Sequence, residues 1–198
     1  MIIAGLTGSI AMGKSETAKM FAARGIPVFD SDAAVHELYA QGGAGVEPVR
    51  ALAPEAVSDG SVDRRRLAAL IQGDPSLLKR IEGVVHPLVK ARQQAFLASA
   101  AAMSDIAVLD IPLLFETGRE KDVDVIIVVT TDPAAQRERA LSRPGMTPDK
   151  LDFILSRQLP DVEKRARADY VIDTSVSLAE TAREVDNVIA RIRARRTA

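Results

Sequence analysis

No cysteine occurs anywhere in the 198 residues. Disulfides, thiolate metal sites and cysteine nucleophiles are thereby excluded, and a chain without disulfides fits a reducing cytoplasmic setting. Tryptophan is also missing, and aromatics make up only 4% of the chain. The core must then be aliphatic, and stacking platforms for single-stranded nucleic acid lack the rings to form. Neither sign of charge dominates. The 26 Lys and Arg stand against 27 Asp and Glu, a net charge of −1, so no global field draws the chain to nucleic acid or to a membrane. Long hydrophobic runs are absent too. The longest, around residues 123–129, falls far short of the roughly 20 residues of a membrane span. The N-terminus reads Met1-Ile2-Ile3-Ala4-Gly5 with no basic segment ahead of it, which predicts no signal peptide.

What is present is an ordinary globular composition, 47% hydrophobic and 27% charged, in a length that suits one α/β domain with a small inserted lobe. Five short apolar runs, at residues 2–6, 26–29, 106–109, 125–129 and 170–172, read as strands. Each is continuous rather than alternating, as expected of strands buried on both faces of a parallel sheet. Helical patterns lie between them, so the expected architecture is repeated βαβ. About seventy-five residues separate the second and third runs, far more than a crossover needs. They are expected to be helical throughout, with a helix boundary or kink at His86-Pro87, and to form an inserted lobe at about residues 33–103. An arginine-rich helical region at about residues 133–167 precedes the last strand. Residues 178–196 repeat Val185, Val188, Ile189 and Ile192 at amphipathic spacing, and Arg191, Arg193, Arg195 and Arg196 read as a solvated helix end.

The strongest local signal is Gly8-Ser9-Ile10-Ala11-Met12-Gly13-Lys14-Ser15, which matches G-x-x-x-x-G-K-[ST]. A chain of this length shows that pattern by chance about one time in a hundred, and here a strand precedes it and a helix follows. Gly8 and Gly13 permit backbone conformations and approaches that a side chain obstructs. The intervening N–H groups then surround a phosphate, aided by the positive end of the next helix. Lys14 reaches the β- and γ-phosphates, and the Ser15 hydroxyl suits Mg²⁺. The glycines do not have the G-x-G-x-x-G spacing of a dinucleotide fold. The Asn-Lys-x-Asp of GTPases and the Leu-Ser-Gly-Gly-Gln of ABC proteins are both absent, which leaves the small-molecule kinases.

A second constellation, Asp30-Ser31-Asp32, stands just past the second strand. Strand ends of a parallel sheet share one edge, so a carboxylate there can take the proton of an attacking hydroxyl or hold Mg²⁺-bound water. The plainer reading is an N-cap, with Ser31 or Asp32 starting a helix over residues 33–39. Asp110 ends the third strand, where a carboxylate would stand either as a simple solvated strand end or as a group that holds Mg²⁺ through water.

These residues, taken together, resemble the dephospho-CoA kinase family. The resemblance rests on Gly5-Leu6-Thr7-Gly8 running into Gly13-Lys14-Ser15, on Asp30-Ser31-Asp32 and on His86-Pro87-Leu88-Val89. It continues through Asp110-Ile111-Pro112-Leu113-Leu114-Phe115-Glu116, Gln136-Arg137-Glu138-Arg139 with Arg143, and Ala168-Asp169-Tyr170-Val171-Ile172-Asp173. It spans essentially the whole chain. It implies an α/β P-loop NTPase sandwich: a five-stranded parallel sheet, an inserted helical substrate lobe and a helical lid. It implies transfer of the γ-phosphoryl group of ATP to the 3′-hydroxyl of dephospho-CoA, the last step of coenzyme A synthesis.

The resemblance also carries site residues. Gly8, Ala11, Met12, Gly13, Lys14, Ser15 and Glu16 would bind nucleotide, and Ser15 would hold Mg²⁺. Asp32 would be the general base, supported by Asp30, with Lys14, Arg139 and Arg143 completing the catalytic set. Arg139 and Arg143 are four apart and are expected to share one helix face. His86, Arg92 and Phe115 would line the acceptor site. The expected partners are ATP and dephospho-CoA alone, in a cytoplasmic monomer or weak homo-oligomer. Three departures from the family stand out: Ser9, Ala11 and Met12 in a loop usually richer in glycine, Glu16 where Thr is frequent, and Thr174 where Asn is common. The loop is expected to be stiffer for the loss of two glycines. The runners-up are a shikimate or nucleoside monophosphate kinase, and a non-catalytic nucleotide switch. A shikimate kinase would carry Gly-Gly-Gly after the third strand, where Ile111-Pro112-Leu113 stands.

Overall fold

The computed structural model describes residues 1–197, with side chains through Arg195. In chain order it contains β1 (Ile2–Thr7), α1 (Lys14–Ala22), β2 (Val28–Asp30), α2 (Ser31–Tyr39), α3 (Val46–Leu52), β3 (Val57–Ser58), β4 (Ser61–Val62), α4 (Arg64–Gly73) and α5 (Pro75–Ala101). Then follow β5 (Ile106–Asp110), β6 (Val125–Thr130), α6 (Pro133–Leu141), α7 (Pro148–Ser156), α8 (Asp161–Ala166), β7 (Tyr170–Asp173) and α9 (Leu178–Thr197). Among the described residues no helix is long and apolar enough to cross a membrane. The chain divides into two compact units, Met1–Phe29 with everything from Ala100 onward, and Asp30–Ser99.

The first unit is built on a five-stranded parallel sheet in the order β2-β5-β1-β6-β7. Ile2 pairs with Ile106 across β1 and β5, Ala4 with Val125 across β1 and β6, and Ile127 with Tyr170 across β6 and β7. One face packs Ala4, Leu6, Val108, Ile127, Val129 and Ile172 against Ala18 and Phe21 of α1 and Val185, Val188, Ile189 and Ile192 of α9. Ala107, Leu109 and Val128, whose side chains point to the other face, are equally buried. Burial on both sides is the reason the strands read as unbroken apolar runs. The C-terminal arginines are more than a solvated end. Arg193 forks onto Asp105 at 3.0 and 3.1 Å, Arg195 reaches Asp169 at 2.8 Å, and Arg191 lies over the Tyr170 ring. The side chain of Arg196 lies outside the described residues.

The connection from β1 turns toward β2, and the one from β6 turns toward β7 on the opposite side. The carboxyl ends of β1 and β6 therefore flank the crevice where open α/β sheets bind ligands. Gly8 lies in that crevice. A Cβ there would stand 2.6 Å from the Val129 carbonyl oxygen, so only glycine fits without moving backbone.

The second unit departs from the all-helical expectation. Residues 57–62 form an antiparallel hairpin, Val57 opposite Val62 and Ser58 opposite Ser61. Its turn holds Asp59 at φ 51° and Gly60 at φ 72°, the paired positive values that an Asp-Gly type I′ turn supplies. Nor does Pro87 end a helix: α5 runs unbroken through it. Proline removes one hydrogen bond and crowds the carbonyl four residues back, at a cost of about 3 kcal/mol or more. Against that stands a buried stripe of Leu77, Ile81, Val85 and Val89 at four-residue spacing, each aliphatic burial being worth about 1.5–3 kcal/mol. The stripe continues through the proline, whose ring is exposed. Lastly, the N-cap of α2 is Asp30, not Ser31 or Asp32. Its Oδ1 accepts the N–H groups of Asp32 and Ala33 at 2.9 Å each.

The Gly8 contact gives the first prediction. Gly8→Ala should destabilise the protein by about 1–3 kcal/mol through overpacking, lowering Tm by several degrees. A thermal melt within about 1 °C of the unsubstituted protein would show that Gly8 does not press on Val129.

Candidate active site

The loop between β1 and α1 leaves its N–H groups turned to different purposes. Glu16 and Thr17 return theirs to the Gly13 carbonyl at 3.1 Å, closing the first turn of α1. The N–H of Ile10 is taken by Gln158 Oε1 at 3.0 Å, and the Ile10 carbonyl accepts from Gln136 Nε2 at 2.9 Å. No acceptor faces the N–H groups of Ala11, Gly13, Lys14 or Ser15 among the described residues, the last two being helix-start donors that have no intrahelical partner. Ala11 holds φ 63° and Gly13 φ 89°, so Ala11 keeps the left-handed conformation that glycine adopts freely. Met12 is buried, and its Sδ accepts the Thr131 N–H at 3.2 Å.

The Lys14 ammonium is paired with the Asp110 carboxylate at the end of β5, itself 4% exposed. The loop's cation is thus balanced from within the chain and positioned at the sheet edge. The Ser15 hydroxyl is exposed and has no partner among the described residues. Mg²⁺ takes one or two hard protein oxygens and completes its shell with phosphates and water. Ser15, with Asp110 behind it, is a donor set of that kind. Glu16 pairs on the surface with Lys19 at 2.7 Å, so its contribution to the loop is backbone.

The arginine-rich segment at about residues 133–167, expected above to be a lid, comprises α6, α7 and α8. Arg139 and Arg143 do not share a helix face, because α6 ends at Leu141 and Arg143 stands in the turn beyond it. Arg139 is half-buried and donates Nη1 to Thr174 Oγ1 at 3.0 Å and Nη2 to the Thr174 carbonyl at 2.8 Å. Arg143 is exposed and its guanidinium is unpaired among the described residues. Arg137 bridges to Asp152 of α7.

Phe115 is 8% exposed, and the Arg167 guanidinium covers its ring at 4.4 Å. It borders a cavity of about 260 Å³ whose other walls include Glu116, Arg157, Gln158 and Arg167. Gln158 is the same side chain that holds Ile10, so this cavity adjoins the loop. Glu116 anchors the far wall. Its Oε1 lies 2.8 Å from Lys164 Nζ, which is fully buried, and accepts the Leu159 N–H at 2.8 Å. The Lys164 contact is electrostatic rather than a well-aligned hydrogen bond. Burial would raise the Glu116 carboxyl, but the Lys164 ammonium and the N–H groups of Glu116 and Leu159 outweigh it and hold the carboxyl below its ordinary value.

In the second unit, Asp30 is committed to its cap, whereas the Asp32 carboxylate in the first turn of α2 is exposed and free of partners among the described residues. Arg92 of α5 is paired with Glu37 of α2, the helix that carries Asp32. His86 is exposed on α5. It stands six residues from Arg92, about 120° around the helix, so the two do not converge. The sequence reading passed over Gln136, Gln158 and Lys164 as site residues, and treated Thr174 only as a departure. No local pattern marks them.

The sequence pattern of the dephospho-CoA kinase family matches residues 2–180. The chain belongs to that family. The dephospho-CoA kinase of Mesorhizobium japonicum is 53% identical over 197 residues, covering 99% of both chains. That of Rhodopseudomonas palustris strain CGA009 is 54% identical over 179 residues, covering 90% of this chain and 89% of its own. Among solved structures, the Thermus thermophilus protein TT1252 superposes with a TM-score of 0.83 at 35% identity, over 96% of this chain and 97% of its own.

The Glu116–Lys164 pair gives a prediction with a definite sign. Because the Glu116 pKa is depressed, its stabilisation is present above the ordinary carboxyl value of 4.5 and lost as pH falls through the folded value below it. Lys164→Met leaves a carboxylate without its partner and should cost about 3–5 kcal/mol near neutral pH. The deficit should shrink in acid, and adding Glu116→Gln should recover most of it. Denaturant titrations at two pH values measure this, and an equal deficit at both would rule out the ion pair as its source.

Proposed function

We propose that this chain catalyses ATP + 3′-dephospho-CoA → ADP + CoA, moving the γ-phosphoryl group to the ribose 3′-hydroxyl in the last step of coenzyme A synthesis. The observation that carries this is the extent of the family match. It runs from residue 2 to residue 180 and so takes in the second unit and the lid region as well as the phosphate loop. A match confined to the loop would support ATP binding and leave the acceptor open. The same extent disfavours the shikimate and nucleotide-switch alternatives.

In this reading the free N–H groups of Ala11, Gly13, Lys14 and Ser15 and the α1 dipole hold the ATP phosphates. Lys14 exchanges the Asp110 carboxylate for the β- and γ-oxygens. Ser15 would hold Mg²⁺, with Asp110 acting through water, and the ion would supply charge neutralisation at the ATP phosphates. Asp32 orients the 3′-hydroxyl and accepts its proton, while Asp30 keeps α2 in place by capping it. Arg139 and Arg143 stabilise charge on the phosphoryl group in flight. The cavity beside Phe115, walled by Arg157 and Arg167, suits the anionic acceptor, and Arg92 and His86 are the acceptor candidates within the second unit. ATP and dephospho-CoA are small cytoplasmic metabolites, which supports a cytoplasmic enzyme.

ADP release measured with and without dephospho-CoA tests the reaction, and ATP consumption that ignores dephospho-CoA would sink it. Asp32→Asn tests the base. We expect kcat to fall by about 10²–10⁴, with nucleotide Kd and Tm close to normal because Asp32 caps nothing. Asp30→Ala should instead cost about 1 kcal/mol of stability. If Asp30→Asn carries the kinetic loss and Asp32→Asn does not, the base is Asp30. Arg143→Ala should lower kcat by about 10²–10³, the worth of one donor at a developing charge. Unchanged turnover would return Arg143 to the solvated surface.

A further inference from the structure

Thr174 follows β7 directly and is 7% exposed. Its hydroxyl lies 2.9 Å from the Met12 carbonyl, 3.2 Å from the Thr130 carbonyl and 3.0 Å from Arg139 Nη1. A hydroxyl has one proton to give and two lone pairs. The Thr130 carbonyl already accepts the Thr174 N–H at 2.8 Å, so the proton goes to the shorter Met12 contact and a lone pair receives Arg139. Arg139 adds a second bond to the Thr174 carbonyl at 2.8 Å. Gly13 presses on the same residue: a Cβ there would meet Thr174 Oγ1 at 2.9 Å and Cγ2 at 3.1 Å.

One hydroxyl therefore touches two parts of the machinery. On one side it fixes the carbonyl of the Met12–Gly13 peptide, whose N–H is among the unpaired donors of the loop. On the other it fixes the guanidinium of Arg139, which spends two of its five donors on Thr174 and has the rest to present elsewhere. We infer that Thr174 is a positioning residue for phosphoryl transfer, setting the phosphate loop and the Arg139 guanidinium relative to each other through a single hydroxyl. The inference rests on the proposal that the loop holds ATP and that Arg139 faces the transferring group. It assigns Arg139 a fixed orientation, in contrast to Arg143, whose guanidinium is unpaired.

The argument from geometry is one of tolerance. Displacement of a reacting group by about 1 Å costs on the order of 100-fold in rate, and residues that only orient a catalytic group are worth about 10–100-fold when lost. Removing the hydroxyl frees the Met12 carbonyl and leaves the arginine on a single bond, from Nη2 to the main-chain carbonyl of residue 174. A residue that merely fills space at the end of β7 would lose none of this on replacement by valine, which keeps the shape.

The test uses the full chain with Thr174→Val, which loses the hydroxyl, and Thr174→Ser, which keeps it. Thr174→Val should lower kcat by about 10–100-fold and weaken ATP binding by about 5–20-fold, while the KM for dephospho-CoA stays within about two-fold. Thr174→Ser should remain within about three-fold of the unsubstituted enzyme on all three. Combining Thr174→Val with Arg139→Ala should cost less than the product of the two single losses in kcat, since both remove the shared Thr174–Arg139 contact. Valine kinetics like those of serine, or additive effects in the double variant, would overturn the inference. ATP binding is measured by calorimetry without any acceptor, so that arm stands even if dephospho-CoA is the wrong substrate. Should the valine variant not fold, Thr174→Ala must show the same split. Failure of both to fold would make the hydroxyl structural and refute a positioning role.

Discussion

A phosphate loop must keep several N–H groups unpaired and still hold one shape, and the carboxyl edge of this sheet is arranged around that constraint. Secondary structure normally fixes backbone by pairing its N–H groups, which here would abolish the site. The shape is held instead from outside. Gln158 and Gln136 secure Ile10 by its N–H and its carbonyl, Thr174 secures the Met12 carbonyl, and Thr131 donates to the Met12 sulfur. Each bond uses an atom of the loop that a phosphate does not need. The glycine requirement is equally local: Gly8 by close approach to Val129, Gly13 by its positive φ and its contact with Thr174.

The same edge has to store charge before any substrate arrives. Two cations stand there on carboxylates, Lys14 on the buried Asp110 and Lys164 on the partly buried Glu116, but they differ in consequence. Lys14 is 16% exposed in its side chain, at the mouth of the loop, and phosphate oxygens can compete for it. Lys164 is wholly buried, with Glu116 as its counter-ion. Removing one partner of a buried ion pair is costly because it strands the other charge. Here the second pair, with the Leu159 N–H on the same carboxylate, ties the loop after β5 to the segment entering α8, and so sets the wall of the cavity beside Phe115.

The sheet was legible in the sequence because its strands are buried on both faces, and the loop because its spacing is a chemical requirement rather than a statistical one. The hairpin at residues 57–62 escaped because two-residue strands leave no periodicity, although Asp59-Gly60 carries its turn signal. Continuity of α5 through Pro87 was illegible from the dipeptide alone. It depends on the summed burial of Leu77, Ile81, Val85 and Val89, which outweighs a local preference. The cap of α2, expected at Ser31 or Asp32, falls on Asp30 for a similar reason: any of the three side chains can cap, and only the backbone geometry of residues 30–33 selects one. The side chains that secure the loop lie 126, 148 and 162 residues away from it, a separation at which no sequence window brings them together.

Ala11 shows what the departures from a glycine-rich loop accomplish. A non-glycine residue at φ 63° bears a penalty of about 1–2 kcal/mol. Its methyl is buried with Ala140 of α6 and Leu151 of α7, and Ile10, Leu141, Met146 and Leu155 pack around them. Burying one such group returns about 0.8 kcal/mol, so the exchange is close to even in stability. It is not even in connectivity. The methyl joins the phosphate loop to the lid helices through apolar packing, next to the polar ties made by Gln136, Gln158 and Arg139. With glycine at position 11 the loop would have more freedom and the small cluster would lose its loop member. In this chain α6, α7 and the loop are consequently joined by one apolar cluster. Arg139 of α6 is held beside that cluster by its two bonds to Thr174, whereas the guanidinium of Arg143, beyond the end of α6, has no partner among the described residues.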